Sequence, residues 1–232
     1  MPSPSAPTLA LAVFDMAGTT IRDSGQVPDA FATVLARHGV SVTDAALVAV
    51  RGASKRAAIQ TLLAQAFPQA AEPDLAARTT LAYADFQAHL AEVFSRGGVQ
   101  PIEGAAETFR VLRARGIKVA LNTGFDREMA MLILRAVGWA DGTVDAIVCG
   151  EDVPAGRPAP YLIHRSMELT GTFDVRRVAA TGDTTLDLEA AHNAGCGLVV
   201  GVLSGAHDRA RLATKPHTHL IASVADFPAL LT

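Results

Sequence analysis

Lysine is scarce in this 232-residue chain. Of 20 basic residues only Lys55, Lys118 and Lys215 are lysines, so a lysine inside a motif stands out against an arginine background. Cysteine is scarcer still. Cys149 and Cys196 form neither a CxxC spacing nor a disulfide framework, which excludes a stapled secreted scaffold and points to a reducing compartment. Both are expected to be buried small hydrophobes. No single sign of charge dominates: 20 Lys and Arg against 23 Asp and Glu leave a net −3 with no basic cluster, which excludes nucleic acid as the main partner. No apolar run approaches the ~20 residues of a spanning helix, so no membrane partner is expected. The first 21 residues lack Lys and Arg, so no secretory leader with a cationic start is expected and the location reads as cytoplasmic. Internal repeats are absent, and residues 1–8, with three prolines, read as a loose tail.

What the chain does hold is apolar bulk, 50% of its residues. A chain of this length buries roughly 70–75% of its unfolded surface without staples, as one large domain or two modest ones. Short apolar runs at 9–14, 117–122, 145–149, 178–181 and 198–203 are separated by stretches long enough for helices. Continuous apolar runs of this length read as parallel strands covered by helices on both faces. Asp15, Thr123 and Asp183 follow strand ends, and ligands of open α/β sheets bind at such carboxyl ends. Between the first and second runs, 28–38, 44–50, 54–67 and 73–94 show helical spacing, punctuated by Gly39, Gly52, Pro68 and Gly97–Gly98. The expected fold is α/β: a doubly wound, Rossmann-like parallel-sheet core (1–23 and 100–232) with an inserted α-helical cap (24–99). Phe109 and Trp139 are expected to pack under the sheet.

Four stretches carry chemistry. DMAGTT at 15–20 puts Asp15 at a strand terminus, where a carboxylate can hold a metal with one oxygen and attack phosphorus with the other; an ordinary strand–turn Asp is the plain alternative. Gly18 permits a tight loop and Thr19 and Thr20 offer hydroxyls. TGDTTLD at 181–187 supplies Asp183 and Asp187, four apart; beside Asp15 they would repel unless a hard divalent cation sat among them. Asp187 is equally explained as favourable charge in a helix's first turn. Thr123, before Gly124, suits a phosphoryl oxygen. Arg157, in GRPAP, could neutralise both the nucleophile and the transferring group.

The order of these motifs resembles the haloacid dehalogenase superfamily of phosphotransfer enzymes, and within it the phosphonatase family. The resemblance spans the chain, and the helical insertion looks like that family's cap. Most superfamily members carry a second Asp two positions after the nucleophile; Ala17 stands here. Most carry Lys before the fourth motif; Arg157 stands here. Both departures match phosphonatases, whose motifs read D-x-A-G-T and G-R-P-x-P. The missing acid fits a carbon leaving group, which has no alkoxide oxygen to protonate. The phosphonatase family activates that carbon through an imine on a cap lysine in a G-x-x-K setting, and GASK at 52–55 supplies Gly52 and Lys55. The resemblance therefore implies Mg²⁺-dependent hydrolysis of a 2-oxoalkyl phosphonate, phosphonoacetaldehyde or a close relative, through an aspartyl-phosphate and a lysine imine.

In that scheme Asp15, Lys55, Thr123 and Arg157 are catalytic. Asp15, the Ala17 carbonyl and Asp183 hold the metal, with Asp187 either a further ligand or a carboxylate just behind the ligands. Ala17, Gly18, Thr19, Arg51, Gly124 and Phe125 meet the substrate, with amides around Gly18 clamping phosphoryl oxygens. Lys55 has two duller readings, an anion clamp in a phosphatase or phosphomutase and a solvated helix face beside Arg56. The imine reading needs burial or nearby cations to lower its pKa, with Arg51 and Arg56 as suppliers. Against the family pattern, Ala58, Arg51 and Phe125 replace a His, a Met and a Tyr, which implies an altered substrate pocket; Arg51 suggests an extra anionic group such as a carboxylate. A non-catalytic binding module and a homodimer stay open. His217 and His219 read as a loop or strand end, and Gly205–His207 has no assigned role.

Overall fold

The computed structural model describes residues 9–231 other than Gly97. The tail reading for 1–8 and the Gly97 half of one punctuation mark lie outside the described residues. The chain opens with β1 (Leu11–Asp15), all five residues buried. Four helices follow before the chain returns to the sheet: α1 (Gln26–Arg37), α2 (Asp44–Ala49), α3 (Lys55–Ala66) and α4 (Glu72–Ser95). Then come α5 (Ala105–Ala114), β2 (Lys118–Asn122), α6 (Arg127–Ala136), β3 (Ala146–Val148), α7 (Tyr161–Thr170), β4 (Val178–Gly182), α8 (Thr185–Ala194), β5 (Leu198–Val202), α9 (Arg209–Leu212) and β6 (His219–Ile221).

The six strands form one parallel sheet in the order β3-β2-β1-β4-β5-β6, the expected doubly wound α/β core. Alternation along β1 shows why the runs are apolar throughout. Ala12 and Phe14 face one cluster, shared with Phe109 of α5 and Ile133 of α6, whereas Leu11 and Val13 face another, shared with Ile163 of α7 and Leu188 of α8. Both faces are dry, so no polar alternation survives. Phe109 packs edge-on against Trp139 at 5.2 Å and tilted against Phe14 at 5.6 Å, the arrangement expected of them. Cys149 is buried, but Cys196 is only half-buried, at the turn after α8.

One boundary differs from expectation. β1 extends to Asp15, which pairs with Asn122, because the parallel ladder continues through the carboxylate residue. β6, only three residues and half-buried, adds to the edge beside β5 and begins at His219, so His217 and His219 lie at a strand end as expected. The 24–99 insertion folds as α1 to α4, with α4 packed on α1 and α3. Ser54 starts α3 by accepting from the Ala57 amide at 3.3 Å, and that cap fixes Lys55 as the first helical residue. No helix among the described residues is long and apolar enough to cross a membrane.

Candidate active site

The carboxyl ends of β1, β2 and β4 open on one cavity, covered by the insertion. Asp15, Thr123, Arg157, Asp183 and Asp187 line it from the core, and Arg51, Gly52 and Lys55 from the cap. The enclosed space is ≈ 50 Å³, room for about four water molecules. Two cap-to-core hydrogen bonds close it: Lys55 N–H donates to the Gly124 carbonyl at 3.1 Å, and Arg157 Nη1 to the Gly52 carbonyl at 3.4 Å. Gly52 sits at φ +85, and a Cβ there would stand 2.4 Å from Thr184 Oγ1. A left-handed residue without a side chain is what lets the cap reach the core at this point. Farther out, Tyr83 and Gln87 of α4 both donate to Asp126 Oδ2, at 2.7 and 3.0 Å, while Asp126 Oδ1 caps α6.

Arg157 organises the floor. It is buried, donates to Asp15 Oδ1 at 2.7 Å and to Asp187 Oδ1 at 2.8 Å, and bonds the Asn122 side chain. Asn122 escaped the sequence reading because, as the last residue of an apolar strand, it carries no motif. Asp187 takes the second of its two expected places, behind the metal ligands, because both its oxygens are engaged. Its Oδ2 accepts from the Thr184 amide and hydroxyl at 3.0 and 2.6 Å, and its Oδ1 takes Arg157. It caps α8 and aims the guanidinium, much as the helix-first-turn reading anticipated. Replacing Arg157 by Met would strand Asp15 and Asp187 as unpaired buried charges. Urea titration at pH 7 should show a loss of about 3–5 kcal/mol, whereas a loss within ~0.5 kcal/mol would contradict this pairing.

The DMAGTT loop also differs from expectation. The Gly18 amide donates to Ile21 O at 2.7 Å and the Thr19 amide to Met16 O at 3.2 Å, so neither clamps a phosphoryl oxygen. The Thr19 hydroxyl donates to Asp183 Oδ1 at 3.2 Å. These residues hold Asp183 instead. Gly18, at φ +90, leaves room for that carboxylate, since a Cβ would lie 2.3 Å from Asp183 Oδ2. Thr123 lines the cavity, and its Oγ1 accepts from the Phe125 amide at 3.2 Å, which leaves the hydroxyl proton free to donate.

Burial pushes Asp15 up to about 6, opposed by Arg157 and reinforced by Asp187. Asp183 goes further, to about 8, through burial and then repulsion from Asp15 and Asp187. Among the described residues its carboxylate has no cationic partner at salt-bridge distance and accepts from the Thr19 hydroxyl and, at 2.7 Å, the Ala206 amide. Among the described residues no three or more His, Cys, Asp or Glu side chains are grouped to hold a metal. The donor set is therefore two carboxylates, Asp15 and Asp183, with the Ala17 carbonyl on the same wall. That set fits Mg²⁺, which binds through one or two carboxylates and otherwise keeps water or substrate oxygens.

The sign of the pH effect follows. Folded-state values above the ordinary 3.8 mean the folded state binds more protons, so metal-free stability falls as pH rises from about 4 to about 8. Thermal melts should show Mg²⁺ raising the Tm more at pH 8 than at pH 5. Equal shifts at both would contradict a carboxylate site.

Lys55 is half-buried, and its Nζ lies 4.7 Å from the centre of the Phe125 ring. Its ammonium is pushed down chiefly by burial, which Asp15 opposes and Arg157 assists. Neither Arg51 nor Arg56 is the chief supplier: Arg56 turns outward to Thr80 at 2.9 Å. Its place in the first turn of α3 adds the positive end of the helix dipole. The Phe125 face offsets part of this, at about 0.5–2 kcal/mol. Arg51 is half-buried at the α2–α3 turn. His207, missed by the sequence reading, is 3% exposed. Burial first, then Arg211 and Arg51, push it down to about 4. His217 and His219 lie elsewhere, on and beside β6.

A buried carboxylate, a bridging arginine and a capped sheet end come together here at the carboxyl edge of an α/β sheet. The chain belongs to the haloacid dehalogenase-like hydrolase family, whose model matches residues 9–195. It is 29% identical over 205 residues to phosphonoacetaldehyde hydrolase of Bacillus thuringiensis (strain Al Hakam), covering 84% of this chain and 76% of that one. The crystal structure of a phosphonoacetaldehyde hydrolase-like protein from Oleispira antarctica superposes with TM-score 0.84 and 26% identity, covering 97% and 92% of the two chains. The fold is shared with a hydrolase from Pseudomonas syringae (TM-score 0.81, 21% identity, 96% and 97% covered).

Proposed function

We propose that this hydrolase cleaves the carbon–phosphorus bond of a small 2-oxoalkyl phosphonate, as the names of its relatives suggest. The observation that carries the reading is Lys55: an amine whose proton is destabilised, in the same cavity as Asp15. Lys55 Nζ adds to the substrate carbonyl and water leaves, giving an imine. Asp15 attacks phosphorus, and the C–P electron pair moves into the enamine that the imine makes accessible. The enamine takes a proton and water hydrolyses the imine, restoring Lys55. A second water hydrolyses the aspartyl-phosphate. The net reaction consumes one water and yields a carbonyl compound and phosphate.

Thr123 donates its proton to a phosphoryl oxygen, and Arg157 holds the Asp15 oxygen in place. Mg²⁺, when bound by Asp15, Asp183 and the Ala17 carbonyl, supplies charge neutralisation for the phosphoryl oxygens. The closed cap excludes water until the lysine is engaged. Apart from Lys55 and Arg51 the cap wall is mainly apolar, with Val27, Phe31, Leu47 and Val50 facing the cavity. A sugar phosphate would leave several hydroxyls unpaired there, at about 1–3 kcal/mol each.

A second reading, phosphate-ester hydrolysis with Lys55 as an anion clamp, is favoured by Asp23. It lines the cavity and could protonate an alkoxide. Side-by-side assays with Mg²⁺ separate the two. Release of phosphate from phosphonoacetaldehyde and not from common phosphate esters supports C–P cleavage; the reverse pattern overturns it.

A further inference from the structure

Three cations line the cavity, and their partners differ. Arg157 is held by Asp15, Asp187 and Asn122. Lys55 lies over Phe125 and is drawn by Asp15, Asp23 and Asp183. The Arg51 guanidinium makes no hydrogen bond or ion pair with any described residue, although the residue is half-buried in the cap wall. A second donor near it is also unanswered. His207 Nδ1 accepts from the Thr185 amide at 3.0 Å, which places the ring proton on Nε2. That Nε2 is buried with no partner among the described residues, an unfavourable state for a donor. Ala206, next to His207, lines the same cavity as Arg51.

The phosphoryl group is already provided for on the core side, by Thr123 and Arg157 around Asp15. Lys55 takes the carbonyl carbon. Arg51 is four residues from Lys55 on the same wall, so it can meet whatever else that carbon carries. We propose that Arg51 and the Nε2–H of His207 receive a carboxylate borne by the carbonyl carbon. The substrate class is then the 3-phosphono-2-oxo acid, not the aldehyde. This rests on the C–P cleavage reading above. The balance is unchanged: one water is consumed, the C–P bond is replaced by a C–H bond, and the products are phosphate and a 2-oxo acid ending in methyl.

The test measures kcat/KM for 3-phosphono-2-oxopropanoate and for phosphonoacetaldehyde with the intact protein and Mg²⁺. The acid should be preferred by about 10-fold or more. Arg51→Met should lower that preference by about 10–150-fold, the effect of removing a hydrogen-bonded charge partner. Arg51→Lys, which keeps the charge but loses the two-pronged fork, should fall between. Preference for the aldehyde by the wild type overturns the inference and leaves C–P cleavage standing, whether or not either variant folds. An acid-to-aldehyde ratio that Arg51→Met leaves unchanged also overturns it. Turnover of neither phosphonate, with phosphate esters hydrolysed, overturns the underlying reading as well.

Discussion

Lys55→Arg should abolish hydrolysis of a 2-oxoalkyl phosphonate, with kcat/KM falling on the order of 10⁴-fold or more, the scale for losing a covalent participant. The substitution keeps a positive charge at the first turn of α3 and a long stem over Phe125. It removes only the capacity to lose a proton and form an imine, because a guanidinium stays charged in proteins. An anion clamp would tolerate this exchange, so a loss below about 10-fold would transfer the protein to the phosphate-ester reading. Folding is not expected to confuse the result, since Lys55 makes only a backbone hydrogen bond and a ring contact here. Steady-state phosphate release with both substrate types is the measurement.

Asp15→Asn should be equally damaging, on the order of 10⁴-fold to 10⁶-fold in kcat, but for either bond type. An amide cannot accept a phosphoryl group to give an aspartyl-phosphate, although its oxygen can still accept from Arg157. Arg157 also keeps Asp187 and Asn122, so the floor should persist. The two variants therefore differ in what survives: Asp15→Asn should still form the Lys55 imine, and Lys55→Arg should not. Turnover by Asp15→Asn within 10-fold of the wild type would remove the covalent role. A wild type with no Mg²⁺-dependent turnover of any phosphorus compound would favour the non-catalytic module.

Much of this was legible because each core residue sits at a discontinuity. Asp15, Thr123 and Asp183 interrupt or follow apolar runs, and burial of both sheet faces makes such interruptions rare. The cap helices were readable from periodicity and glycine punctuation. The details that escaped depend on atoms distant in sequence. Nothing local marks Asn122 as a partner of Arg157, or Tyr83 and Gln87 as partners of Asp126. A four-residue spacing suggested that Asp183 and Asp187 share a face, but α8 starts between them. Thr184 became the cap and Asp187 its reciprocal partner. The glycine loop invited a phosphate-cradle reading, whereas its amides close the turn on Met16 and Ile21. β6 is too short and too exposed to leave a hydrophobic run. His207 had no assigned role because its burial comes from the return of the chain to Asp183 and Thr185.

The central claim is that an amine on the cap and a carboxylate on the core act on one substrate. Borohydride reduction during incubation with phosphonoacetaldehyde, followed by peptide mass spectrometry, tests it most directly. The account expects one stable adduct on the peptide holding Lys55, in the wild type and in Asp15→Asn, and none in Lys55→Arg. Phosphate release from that substrate with Lys55 recovered unmodified would contradict it.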